Sequence, residues 1–262
     1  VTPRFPESAF AHIRDAAWLE AHGWFVAEGR HVTRRLLQSQ HFETAAILLT
    51  QVAFDAMRDV VSDRPDVYIQ TPAQMDALTG FRLHQGCVSV AVRRPRPLWN
   101  TVPSPPGLSV CLERVRDPDN VGSIVRSAAA LGATRVLIGP DCADPFYRKA
   151  IRTSMGAVFN VPIVDASPWP DVIADLQASG HYVLATTPDA SAVPIGDVLA
   201  ERRPDRIVLL VGSEGDGLSE DATSAADVRA RIPMVPGADS LNVGVATAVA
   251  LYAVSARSTL RT

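Results

Sequence analysis

Short apolar runs alternate with segments of helical period along the chain, and one proline-rich interruption divides that alternation in two. Before it, β-type runs at 24–27, 45–49, 67–69 and 87–92 are separated by helical patterns at 30–39, 51–61 and 72–78. This order predicts a small α/β unit. After it, strands are expected at 108–112, 135–138, 161–164, 182–186, 207–211 and 228–233, with helices at 120–131, 145–152, 169–179, 219–226 and 242–256. Regular strand-then-helix order implies an α/β fold with a mainly parallel sheet covered on both faces, taking its ligands at the carboxyl ends of the strands. The interruption itself, RRPRPLWNTVPSPPG from Arg93 to Gly107, has five prolines and no apolar period, and reads as a stiff linker. The organisation expected is a first domain at 1–95, a linker at 96–107 and a second domain at 108–262.

Three strand-to-helix junctions of the second domain are rich in small and polar residues. The last, in RIPMVPGADSLNVGVATAVALY from Arg231 to Tyr252, sets a polar loop between a strand end and an apolar helical run that meets no charge until Arg257. Apolar flanks must be buried, so the loop at 237–242 sits close to a core where its hydroxyl and amide groups need partners. Ser240 or Asn242 can cap the helix, or they can face a ligand. The first junction runs from Arg116 to Arg126 as RDPDNVGSIVR. Asp119 or Asn120 can cap its helix, and Gly122 allows a close approach. Arg126 is expected within the first two turns, where a cation gains nothing from the helix dipole, which favours an anion-facing role. The second junction, VGSEGDGLS from Val211 to Ser219, resembles a phosphate cradle but fits neither nucleotide fingerprint, and its two carboxylates would repel a pyrophosphate. A turn with Ser219 as helix cap explains Gly217 but leaves Glu214 without a role.

A formal net charge of −3 over 262 residues argues against binding nucleic acid through bulk positive charge, so any polyanion must be met locally. Lys149 is the only lysine, and arginine suits bidentate phosphate recognition. Candidate basic patches are Arg30, Arg34 and Arg35; Arg93, Arg94 and Arg96; and Arg148, Lys149 and Arg152. For each of them a solvated face is the simpler reading. Cys87, Cys111 and Cys142 are scattered, as are the six histidines, so neither a disulfide framework nor a metal site is expected. No apolar stretch has the length of a membrane span and the first residues lack a signal-peptide pattern, which leads to the expectation of a cytoplasmic enzyme with no membrane partner.

Taken in order, N-x-G-x-x-x-R at 120–126, G-x-E-x-x-G-L at 212–218, and I-P-M at 232–234 followed by S-L-N at 240–242 resemble the SpoU family of S-adenosylmethionine-dependent RNA ribose 2′-O-methyltransferases, within the SPOUT superfamily. The stretch from Trp24 to Leu37 is similar to the L30e-like substrate-binding domain that many members carry. The resemblance implies a deep trefoil knot in the second domain and a bent S-adenosylmethionine held by Gly212, Ile232 and Leu241, with Thr186 and Gly217 as further contacts. It implies a homodimer packed through the C-terminal helix. It assigns Arg126, supported by Asn120, to activating the ribose hydroxyl, with Glu214, Ser240 and Asn242 shaping the pocket. A guanidinium keeps its proton up to roughly pH 12, so Arg126 is read as pairing with substrate phosphate and stabilising the developing alkoxide. Two positions depart from the family pattern: Gly244, where serine or alanine is usual, and Ala253, where an acidic residue is common. Structured RNA is the expected partner, with ribosomal RNA favoured over transfer RNA by the L30e-like extension. A transfer-RNA methyltransferase and a non-catalytic RNA-binding or ribosome-assembly protein that keeps the fold are the alternatives.

Overall fold

Most strands are buried along nearly their whole length, those at 67–69, 193–194 and 228–231 excepted, and together they form two separate sheets. The computed structural model describes residues 5–201, 204–235, 237–238 and 240–259; Asp239, in the polar loop of the third junction, lies outside them. The chain divides into two compact units, one running to Pro95 and including Pro145–Asn160, the other formed by Arg96–Asp144 and the chain from Val161 onward.

The first unit contains α1 (Ala16–Ala21), β1 (Trp24–Glu28), α2 (Arg30–Gln38), β2 (Thr44–Leu49), α3 (Gln51–Val61), β3 (Val67–Ile69), α4 (Pro72–Thr79) and β4 (Cys87–Val92). Its sheet runs β1-β4-β2-β3, antiparallel except for the β2–β3 pair. Period-two alternation sends Ala46 and Leu48 into one apolar cluster and Ile47 and Leu49 into another, so both faces of β2 are covered. Thr50 and Thr71 start α3 and α4 by accepting the N–H of Ala53 and Gln74.

The second unit begins with β5 (Gly107–Leu112), α5 (Pro118–Ala130) and β6 (Arg135–Ile138). The chain then lends α6 (Arg148–Thr153) to the first unit, where Phe146 and Phe159 join Phe25 and Phe42 in one aromatic cluster with ring centroids 5.3–5.8 Å apart. It returns through β7 (Ile163–Asp165), α7 (Val172–Ala178), β8 (Tyr182–Thr186), β9 (Val193–Pro194), α8 (Ile195–Glu201), β10 (Arg206–Val211), α9 (Glu220–Ala225), β11 (Val228–Arg231) and α10 (Val243–Thr259). The seven strands are ordered β7-β6-β5-β10-β8-β11-β9 and every pair is parallel. The chain leaves β5 toward one edge and returns on the far side of β10, so strand order reverses beside β10, where open parallel sheets place their ligands.

From Arg96 on, the proline-rich stretch is part of this unit. Asp165 N–H donates to Pro97 O at 2.8 Å and Trp99 N–H to Asp165 O at 2.9 Å, which lays residues 97–99 along the outer edge of β7. Trp99 is buried in the same cluster as Cys111, Leu137 and Val208. Proline tolerates such an edge position because its missing N–H faces away from the sheet.

Candidate active site

The loop after β10 is fixed by steric necessity. A Cβ on Gly212 would lie 2.2–2.4 Å from the backbone of Gly217 and Leu218, so only glycine fits where the loop folds back on its own start. Ser213 and Gly217 exchange backbone hydrogen bonds of 3.3 and 3.2 Å, and Ser213 Oγ accepts Asp216 N–H at 3.2 Å. Ser219 then caps α9 through Ala222 N–H at 3.2 Å.

At the third junction Asn242 is the helix cap. Its Oδ1 accepts Gly244 N–H at 3.0 Å and Val245 N–H at 3.2 Å, which leaves Nδ2 free to donate to Asn120 Oδ1 at 2.9 Å and to Glu214 Oε1. The same Glu214 oxygen accepts Val243 N–H at 3.3 Å, adding a negative group at the positive end of α10. Three residues read from separate junctions therefore form one polar knot of hydrogen bonds between α5, the loop after β10 and α10.

Beside it, at the carboxyl ends of β8, β10 and β11, lies a cavity of about 410 Å³, within the roughly 300–1,000 Å³ of small-molecule sites. Gly212, Gly217, Thr186, Ile232 and Leu241 all line it, and so do Glu214 and Ser240. Asn120 and Asn242 are not part of the lining. The Thr186 hydroxyl donates to Leu210 O at 2.7 Å, so it ties β8 to β10 and offers the cavity its surface. Thr187, Ile195, Ala246 and Thr247 are among the further lining residues, and none carries a sequence signal because each lies outside the glycine-rich or polar clusters that mark the junctions.

Two expectations about the first junction are corrected. Asp117, not Asp119 or Asn120, caps α5, accepting Asp119 N–H at 2.9 Å, and Pro118 takes the first helical position. Arg126 is consequently the ninth residue of a thirteen-residue helix, in its third turn, where the dipole gives no reason to prefer an anion. Arg126 is exposed and outside the cavity lining. Asn120 bonds to Asn242, so its support for the arginine runs through the helix it sits on.

Burial pushes the Cys87 thiol up to about 12 and Cys142 to about 11, and Cys111 higher still. None of them offers a thiolate nucleophile near neutral pH. Among the described residues no group of three His, Cys, Asp or Glu side chains could hold a metal, and no helix is long and apolar enough to cross a membrane. Several arginines of the candidate basic patches are already paired: Arg34 with Asp59, Arg94 with Glu43, Arg96 with Asp144 and Asp165, and Arg148 with Glu28.

A fully parallel sheet with a glycine-walled cavity at its carboxyl ends is the architecture of a small-molecule-binding α/β protein, and its loops carry neither nucleotide fingerprint. Residues 107–252 match the SpoU rRNA Methylase family, and the chain belongs to that family. It is 40% identical over 228 residues, 87% of this chain and 79% of the relative, to an uncharacterized tRNA/rRNA methyltransferase of Mycobacterium bovis. It is 32% identical over 141 residues to the 23S rRNA (guanosine(2553)-2′-O)-methyltransferase RlmP of Bacillus subtilis, covering 54% of this chain and 55% of that one. Among solved structures, the AdoMet-bound rRNA methyltransferase from Sinorhizobium meliloti superposes with a TM-score of 0.80 at 28% identity, over 96% of this chain and 94% of the other.

Proposed function

We propose that this protein transfers a methyl group from S-adenosylmethionine to a ribose 2′-hydroxyl of ribosomal RNA. The observation that carries this reading is the convergence of Gly212, Glu214, Gly217, Ile232, Ser240 and Leu241 on one cavity, in a chain of the SpoU family. The residues fit the cofactor: Gly212 and Gly217 let backbone approach it, Ile232 and Leu241 give apolar walls, and Glu214 gives a carboxylate near a cationic ligand. S-adenosylmethionine, when bound, supplies an electrophilic methyl on a sulfonium that is already a good leaving group. Everything else is alignment by the chain. Ser240, exposed at the cavity, orients the ribose. Arg126, exposed on α5, pairs with a substrate phosphate and stabilises the alkoxide as the hydroxyl proton leaves to phosphate or water. The Asn242–Asn120–Glu214 cluster positions rather than reacts, holding the helix of Arg126 against α10.

The first unit, a four-stranded mixed sheet with helices on both faces, is read as the L30e-like RNA-binding domain. The crowded passage at Gly212, with β10 inserted between β5 and β8, is read as the knotted region. The working form is read as a homodimer in the cytoplasm. Its support is the exposed apolar face of α10, where Val245, Val249 and Tyr252 are 51%, 41% and 65% exposed around a groove shared with α5. The close packing of those helices explains the departure at Gly244, whose Cβ would come 2.9 Å from Ser123 Oγ.

Mapping 2′-O-methylated nucleotides in total RNA from cells with and without the gene tests the reading. One ribosomal position is expected to lose its methyl group. Loss confined to transfer RNA would replace the substrate, and no loss anywhere would contradict the activity.

A further inference from the structure

The second unit holds a buried carboxylate outside both the cavity lining and the family motifs. Glu113 directly follows β5, is only 2% exposed, and donates its N–H to Val211 O at 2.9 Å, which sets it beside the last residue of β10. One of its oxygens accepts Trp169 Nε1–H at 3.1 Å and the other accepts Ser219 N–H at 2.7 Å. Arg114 Nε, at 3.9 Å, is beyond hydrogen-bond reach. A carboxylate taken so far out of water is costly unless its oxygens are satisfied, and here two fixed donors satisfy them.

Ser219 is where the loop lining the cavity ends and α9 begins. The loop's internal ties are neutral bonds of 3.2–3.3 Å, whereas the tie to Glu113 is shorter and charge-assisted, a class roughly twice as strong. Gly212, already against the Gly217–Leu218 peptide, prevents the loop from moving inward. The carboxylate prevents its exit from moving outward. Trp169, packed against the cluster that includes Ala222 of α9, fixes the second oxygen and so the orientation of the first.

We propose that Glu113 is a positioning residue for the cofactor pocket: its carboxylate holds the Ser219 N–H and thereby sets the wall formed by residues 212–218. The inference rests on the proposed binding of S-adenosylmethionine. It predicts an effect on cofactor affinity and loop protection while turnover at saturating cofactor stays near normal, because Glu113 touches no reacting group.

The test uses the full chain, with calorimetric titration of S-adenosylmethionine and hydrogen exchange read by mass spectrometry. In Glu113→Gln the amide presents one acceptor and one NH2 to two donors, so one donor loses its partner. We expect the Kd to rise about tenfold, with faster exchange confined to 212–219. Glu113→Asp, which keeps the charge one methylene short, falls between the two. Should Glu113→Gln fail to fold, Ser219 supplies the same test. Its φ of −64° is that of proline. Ser219→Pro therefore deletes the N–H with no strain at its own φ, while Ser219→Ala deletes only the hydroxyl cap that both lose. Ser219→Pro is expected to bind about tenfold more weakly than Ser219→Ala. A Kd for Glu113→Gln within twofold of wild type, equal affinities for the two Ser219 variants, or exchange accelerated evenly over the second unit would overturn the assignment. Wild-type protein that takes up no S-adenosylmethionine would instead contradict the proposed function, and the inference with it.

Discussion

Asn242 Nδ2 lies 2.9 Å from Asn120 Oδ1, joining the starts of two helices whose residues are 122 positions apart. The amide is used at both ends, since its Oδ1 caps α10 through Gly244 and Val245. Asn242→Ala removes the cap and strands Asn120 and Glu214 together. A stability loss of about 1–3 kcal/mol is expected, read as a lower urea midpoint. Methyl transfer should fall with it, because α5 carries Arg126.

Gly212 offers a sharper steric test. Gly212→Ala places a methyl 2.2 Å from the Gly217–Leu218 peptide, which the loop can relieve only by opening. Calorimetry should find S-adenosylmethionine binding abolished, with about 1–3 kcal/mol lost in urea unfolding. Gly215→Ala, three residues on in the same cavity wall, meets nothing within 4 Å and should stay within about 0.5 kcal/mol of wild type.

Val249 tests the dimer. It is 41% exposed on the apolar groove between α5 and α10, so a charge there costs the single chain little. Val249→Glu is expected to shift sedimentation from dimer to monomer at micromolar concentration, with circular dichroism unchanged. A wild-type chain that sediments as a monomer would remove the dimer from the reading.

His181 gives the second unit a pH dependence. Arg135 donates to its Nε2 at 3.2 Å and Leu176 O faces its Nδ1 at 3.1 Å, so the ring is neutral with its proton on Nδ1. Ser104 and Ser179 complete its shell. Burial, chiefly, and then the positive charges of Arg135 and Arg206 hold its pKa below the ordinary 6.5. The unfolded chain then binds the proton more readily, so this contribution is fully present above 6.5 and is lost as pH falls through the lower folded value. The urea midpoint should drop as pH falls below 6.5, and His181→Gln should flatten that slope.

How much could be read from the chain differs between elements and their alliances. β6, β8 and the helix at 51–61 follow the expected bounds because their apolar period is a local property. The short β9 and α8 after it were missed, since two strand residues carry no period. That α6 serves the first unit depends on Phe25 and Phe42 meeting Phe146 and Phe159, contacts across more than a hundred residues that no local pattern encodes. Trp99 shows the same: its proline neighbours signalled a linker, while its indole belonged to a core. At the site, glycines and hydroxyls marked the cavity walls because backbone proximity demands those residue types. Arg126 sits deeper in its helix than expected because Pro118 and Asp119 extend α5 by two residues ahead of Asn120. Glu113 gave no signal, because one acidic residue after a strand is indistinguishable from a solvated one until its partners are seen.

Methyl transfer by the purified protein, from isotope-labelled S-adenosylmethionine to ribosomal RNA, followed by nucleoside analysis of the product, tests the central reading most directly. Label is expected on a ribose 2′-oxygen, and Arg126→Ala should lower the rate at least about 10²-fold with cofactor affinity unchanged. Label on a base, or a near-normal rate for Arg126→Ala, would contradict the reaction or the role of Arg126.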